Sequence, residues 1–230
     1  MPQVVDTNLI NDASLVAYYK AENVNDSTTN AFNLTDTGSV AFNAAKFNNG
    51  FDFGTPNTTK HLNTTSKLGI DGGAISISFW AKVTSEITSG IQNIVCHSSN
   101  VTDTRTDFYY DYNVGVPRLV VGRTRIGVAN DRTNYTGSIA DSVFHHYVYA
   151  YDAANYLLYV DGVSKGGGAS SGSGISTGTD GFAISGDTTA TNFFAGVIDD
   201  VAVFSRALTA AEVQIIYVGG HFMTPNSKFW

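Results

Sequence analysis

The chain has 230 residues, a formal net charge of -7 and one cysteine, Cys96. That length fits one all-β sandwich and would crowd a second sizeable domain. The acidic balance argues against nucleic acid or an anionic membrane as partner, and a lone cysteine excludes an intrachain disulfide. Charged residues make up only 14% of the chain, against 23 glycines, a composition suited to short strands joined by turns and not to long surface helices. The opening MPQVVDT lacks the basic and apolar segments of a secretory signal, so none is expected. No apolar run approaches the roughly 18 residues of a membrane span, so no membrane insertion is expected.

Residues 1–13 read as a polar arm without periodicity. A first strand follows at 14–20 (SLVAYYK). Residues 40–53 read as strand, turn and strand, with Asp52 between two phenylalanines and Gly54 free to take a positive φ. Residues 74–83 (AISISFWAKV) carry the clearest period of two: Ile75, Ile77 and Phe79 point one way, Ser76, Ser78 and Trp80 the other. Partial burial near an edge of the sandwich core is expected for Trp80. Further strands are expected over 91–97, 106–113 and 118–128. Tyr109 and Tyr110 must face opposite ways, so one side of their strand at most serves a ligand. Residues 143–152 and 156–162 form a hairpin, on which His145 and His146 point to opposite faces and cannot share one metal. The stretch 165–178 (KGGGASSGSGISTG) reads as a flexible low-complexity loop, and 181–186 as a short strand.

The closing stretch 192–217 (NFFAGVIDDVAVFSRALTAAEVQIIY) is an imperfectly alternating strand, a turn at Ser205–Leu208 and a short helix. Thr209 with Glu212 has capping-box spacing, and Gly219-Gly220 ends the helix. The tail 221–230 adds Phe222, Met223, Phe229 and Trp230, apolar groups that must fold back on the domain or dock on a neighbour.

Gly196, Ile198, Asp199, Asp200, Val201, Val203, Phe204, Arg206, Ala207, Leu208, Thr209, Glu212 and Val213 fit the pattern G-x-I-D-[DE]-V-x-[IV]-[FY]-x-R-A-L-[ST]-x-x-E-[IV]. This resembles the closing segment of laminin-G-like domains of the concanavalin A type. The openings LVAYYK and ISISFW, the hairpin HHYVYAYD and the segment YLLYVDG are similar to the same family, with Phe144 at a position usually held by Trp. The resemblance covers about residues 14–218 and leaves 1–13 and 219–230 as terminal additions. It implies an antiparallel jelly-roll sandwich with one short C-terminal helix. In that family a structural Ca²⁺ often joins the first and closing strands; by position its ligands here would be Glu22, Asp52 and Asp199. The turn Asn25–Asn30 departs from the family's D-x-S-G-N.

Glycosidases of this jelly roll place two glutamates on one strand, as retaining chemistry requires. Here Glu22, Glu86 and Glu212 lie far apart, so no enzyme is expected. Aromatic rings with Asn, Asp or Arg are the groups that bind glycans, and Asp107, Tyr109, Asp111, Arg118 and Arg123 stand in their densest cluster. The expectation is a non-enzymatic structural or adhesion module on a bacteriophage virion surface, as capsid decoration or fibre component, with possible glycan binding. Phe222, Phe229 and Trp230 would dock it on other virion proteins or on further copies. The alternative is a free-standing or cell-surface carbohydrate-binding lectin, with a glycoside hydrolase as the least favoured reading.

Overall fold

The computed structural model describes residues 9–55, 59–70, 74–84, 90–97, 105–112, 118–124, 131–137, 139–152, 154–170, 181–186 and 192–219. They form two packed antiparallel sheets. The first runs β13 (Val163–Ala169), β12 (Asn155–Val160), β11 (His145–Tyr151), β6 (Ile75–Val83), β15 (Gly196–Phe204), β4 (Asn49–Asp52) and β3 (Ala41–Ala44), with β1 (Leu15–Tyr19) also on β15. The second runs β10 (Asp131–Tyr135), β9 (Arg118–Thr124), β8 (Arg105–Asp111), β7 (Ile91–His97), β14 (Phe182–Ile184), β5 (His61–Thr64) and β2 (Thr35–Thr37). Helix α1 (Ala210–Gly219) follows β15. The tail residues Phe222, Phe229 and Trp230 lie outside the described residues.

Alternate residues of each strand face the space between the sheets, and aromatics fill it. Phe79 packs edge-on against Phe108 at 4.8 Å, and Phe51, Phe53, Tyr110, Tyr149 and Phe182 are fully buried around them. The imperfect alternation of the closing strand has a local cause. One side of β15 pairs with β6, while the other pairs with β4 at Val197–Ile198 and with β1 at Val201–Phe204. The register breaks between Asp199 and Ala202, where Asp200 takes a left-handed φ of 54°. Aspartate tolerates that conformation, and its carboxylate accepts a hydrogen bond from the Tyr18 hydroxyl.

A second apolar layer covers the outer face of the first sheet. Val213 and Ile216 of α1, with Leu208 and Leu9, pack on Tyr18, Val148, Tyr159 and Phe204. Residues 9–13, expected as part of a free arm, therefore belong to the domain. Trp80 lies in this outer region and not near the sandwich core. It is 2% exposed, stacked on Tyr217 at 5.7 Å, with the Lys46 ammonium 4.1 Å from its ring centre. The helix and the β3–β4 turn cover it, two elements that strand periodicity does not foresee.

His146, beside Trp80, places Nε2 2.9 Å from Ser78 Oγ, and its Nδ1 has no hydrogen-bond partner among the described residues. Burial pushes its pKa down to about 3, opposed by Asp161 and reinforced by Lys46. His145 faces the other way, with Nδ1 2.7 Å from Asp161 and Nε2 3.0 Å from Asp141. Burial disfavours its charge, but the hydrogen bonds to Asp161 and then Asp141 outweigh this and raise its pKa.

The capping box forms as spaced. Thr209 N–H donates to Glu212 Oε2 at 2.7 Å, and Glu212 N–H donates to Thr209 Oγ1 at 3.3 Å. Glu212 also takes Arg206, whose guanidinium reaches Asp12 as well and ties the N-terminal turn to the helix start. Burial would raise both carboxyls, but Arg206 and local hydrogen bonds hold them below their ordinary values. Replacing Arg206 by Ala removes these charged hydrogen bonds and should cost roughly 1–3 kcal/mol, given its partial exposure. Urea unfolding checks this, with Arg206→Lys expected to recover part of the loss.

The stretch expected as a loop from 165 is a strand up to Ala169. β13 pairs with β12 from Asn155↔Ala169 to Val160↔Val163. Its glycines are needed for that approach, since a Cβ at Gly167 would stand 2.1 Å from the Tyr156 carbonyl oxygen. Across the sandwich edge, a Cβ at Gly166 would stand 2.6 Å from Thr133 Oγ1 of β10.

Candidate functional site

The outer face of the second sheet gathers four of the five residues singled out for glycans. Phe108, Tyr110, Leu119 and Val121 point into the core, which turns Asp107, Tyr109 and Asp111 of β8 and Arg118 of β9 outward. Asp111 pairs with Arg118 across the strands, and Arg118 Nε and Nη2 lie 3.1 and 2.8 Å from Asp111 Oδ2. Asp107 faces Gly122, and Gly122 faces Arg132 of β10. A Cβ at 122 would stand 2.3 Å from the Asp131 carbonyl oxygen and 2.6 Å from Arg132 Cα. The glycine thus leaves a low floor over which Arg132 reaches Asp107, with Nη2 3.7 Å from Oδ2. Its guanidinium also stands 5.5 Å from the Tyr109 ring centre.

Burial divides the labour within these pairs. The side chains of Asp107 and Asp111 are 1% and 7% exposed, those of Arg132 and Arg118 25% and 29%. The carboxylates therefore lie beneath the guanidinium groups and orient them, while the arginines present donors to solvent and Tyr109, itself buried, backs Arg132. Sequence reasoning missed Arg132. No strand was expected over 131–135, and only the pairing of β10 with β9 across Gly122 places it beside Asp107.

Arg123 is set apart from these four. It shares parity with Leu119 and Val121 and so points into the sandwich, 2% exposed, its guanidinium 4.5 Å from the Tyr151 ring centre. There it adjoins its strand partner Asp131. Ser170 Oγ lies 3.2 Å from Asp131 Oδ2 and 2.9 Å from the Tyr151 hydroxyl, forming a polar plug at the end of the core.

The residues proposed for Ca²⁺ have other partners. Glu22 accepts from Asn49 N and Nδ2 at 3.2 and 2.9 Å. Asp52 accepts from Asn43 Nδ2 and Gly54 N at 2.7 and 2.8 Å. Asp199, fully buried, accepts from Phe47 N at 2.8 Å. Glu22 and Asp199 thus secure the β3–β4 turn, and among the described residues no three His, Cys, Asp or Glu are placed to hold one metal ion. A shared calcium centre of these three does not fit this arrangement.

Two face-packed antiparallel sheets, closed by a capped helix, define a jelly-roll sandwich, and a family model described as Laminin_G_3, concanavalin A-like lectin/glucanases superfamily, matches residues 53–214. The chain belongs to that superfamily. A comparison with curated proteins returns no significant match. Among solved structures, domain 4 of AbnA, a GH43 extracellular arabinanase from Geobacillus stearothermophilus in complex with arabinotriose, is similar at 18% identity with a TM-score of 0.72, covering 89% of this chain and 98% of that one. The binding domain of botulinum neurotoxin DC in complex with SialylT is similar at 14% identity and a TM-score of 0.69, covering 90% of this chain and 52% of that one. The binding domain of Paraclostridial Mosquitocidal Protein 1 is similar at 16% identity and a TM-score of 0.71, covering 90% and 52%. The chain spans about half the length of these two toxin domains. At such identities the likeness carries the fold. Among the described residues no helix is long and apolar enough to cross a membrane.

Proposed function

We propose that this chain is a non-catalytic glycan-binding module whose ligand lies on the outer face of the second sheet, against Arg118 and Arg132. The observation that carries this reading is the stacking of two partly exposed guanidinium groups over buried carboxylates on one face with an aromatic ring. Donors fixed in this way suit sugar hydroxyls. Relatives in fold solved with arabinotriose and with SialylT support the ligand class. Asp107 and Asp111 are poor catalysts in this setting. Each faces an arginine, whereas glycoside hydrolysis needs one protonated carboxyl and one free to attack or to activate water.

Arg132→Ala and Arg118→Ala should each weaken glycan binding about tenfold, near 1.4 kcal/mol. They should also lower thermal stability, because each withdraws a guanidinium from a buried carboxylate, whereas the Lys variants should keep stability and still lose affinity. Calorimetric titration with arabino-oligosaccharides and sialylated oligosaccharides, chosen after an array screen, measures this. No binding to either class, or unchanged affinity in both variants, overturns the site. Display on a bacteriophage virion completes the reading and rests on the resemblance of residues 15–20 and 75–80 to phage and environmental bacterial members. Antibody labelling of purified particles tests it, and unlabelled particles with soluble antigen favour a free lectin.

A further inference from the structure

The outer face of the first sheet carries a groove of about 480 Å³ beside the turn that leads from β15 into α1. That volume falls within the range of about 300–1,000 Å³ typical of small-ligand sites. Small side chains leave the space open: Ala150 of β11, Ala169 of β13 and Ala207 of the turn all line it. Leu157 and Leu208 supply aliphatic walls. Leu157 is 37% exposed, and Leu208 is held against the sheet by its N–H, which donates to Ser76 Oγ at 2.8 Å.

Asp152, just after β11, and Asn155, opening β12, form the polar side of the groove, and no lysine or arginine lines it. Asp152 Oδ1 accepts from Ala154 N and Asn155 N, both at 2.7 Å, which fixes the carboxylate. The turn is braced further by Asp152 N donating to the Asn155 carbonyl at 2.9 Å and Ser170 N to the Ala154 carbonyl at 2.8 Å. Among the described residues, Asp152 Oδ2 and the Asn155 carboxamide make no hydrogen bond. These two groups set the chemistry of an occupant. The carboxylate repels an anion. An ammonium could use the carboxylate but would leave the Asn155 donors unanswered, whereas a hydroxyl donates to the one and accepts from the other. The aliphatic walls suit the C–H face of a sugar ring. We propose that this groove is a second saccharide site, in which a neutral monosaccharide unit is held by Asp152 Oδ2 and Asn155 against Leu157. It does not depend on the arginine face of the second sheet; together the two would give one domain attachments on opposed sheets.

Backbone-amide NMR of the full chain, titrated with the methyl glycosides of L-arabinose, D-galactose and D-glucose, tests this. Expected are saturable shifts at Asn155, Leu157 and Ala169 with at least one of the three. Asp152→Asn keeps an oxygen for the turn amides but replaces the free acceptor by a donor, and should lower affinity about tenfold. Ala169→Trp fills the groove from an exposed position and should abolish the shifts. The double variant Arg118→Lys, Arg132→Lys should leave them unchanged, which separates this site from the one on the second sheet. No saturable shift with any glycoside overturns the proposal, as does unchanged binding in either Asp152→Asn or Ala169→Trp. Shifts lost in the double lysine variant belong to the other face and overturn it as well. A response to tetramethylammonium alone would assign a cationic ligand and overturn it too.

Discussion

Acidification from pH 6.5 towards 3 should destabilise this domain, with His146 alone contributing roughly 4–5 kcal/mol across the full span. In the folded protein its pKa is about 3, because burial disfavours the charged ring. Among the described residues Nδ1 also has no partner to receive a second proton's hydrogen bond. In the unfolded chain the same ring titrates near 6.5. Between the two values the unfolded state binds the extra proton and the folded state does not, so stability falls as pH falls and levels off below 3. Urea unfolding at pH 7 and pH 4 of the wild type and His146→Leu measures this. The wild type should lose about 3 kcal/mol more than the variant over that interval, and equal losses in the two proteins would refute the assignment. His145 acts with the opposite sign. Its raised pKa means that its contribution is complete below 6.5 and is lost as pH rises through the folded value. Asp12 and Glu212, held low by Arg206, contribute above their unfolded values and lose that contribution only in stronger acid.

Asp26→Ala should cost about 3–5 kcal/mol, the largest loss expected from any single polar side chain outside the binding face. The Asp26 carboxylate accepts from Tyr18 N at 2.9 Å, Thr28 N at 2.9 Å, Thr28 Oγ1 at 2.8 Å and Phe32 N at 3.0 Å. It is 8% exposed, so removing it strands amide donors that water reaches poorly. The consequence spreads because Tyr18 sits in β1, whose partner is the closing strand, and its hydroxyl donates to Asp200 at the bulge. Asp26→Asn, which keeps the shape but cannot accept at every oxygen, should fall between the two. Thermal and urea unfolding of the three proteins checks the order. An alanine variant as stable as the wild type would show that the 20–34 loop is not a determinant of stability.

The sandwich itself was legible in one dimension. Alternation in β6 and in β8 needs no partner to state which side chains share a face, and Tyr109 and Tyr110 divide as parity requires. The Thr209–Glu212 cap is also local: two side chains three residues apart satisfy each other's amides wherever the helix lies. What sequence could not supply is whatever depends on which strands become neighbours. Arg123 and Arg118 are equivalent as residues, yet strand parity and the placement of β11 put one on Tyr151 inside the core and the other on Asp111 outside. Arg132 joins Asp107 only because β10 is laid against β9 across a glycine. Trp80 reads as a core-edge residue until α1 and the β3–β4 turn close over it. The glycines of β13 read as loop until β12 demands their close approach. Periodicity and capping are set by residues a few positions apart, whereas burial, ion pairing and the shape of a binding face are set by contacts between residues tens or hundreds of positions apart. Only the packed fold decides those.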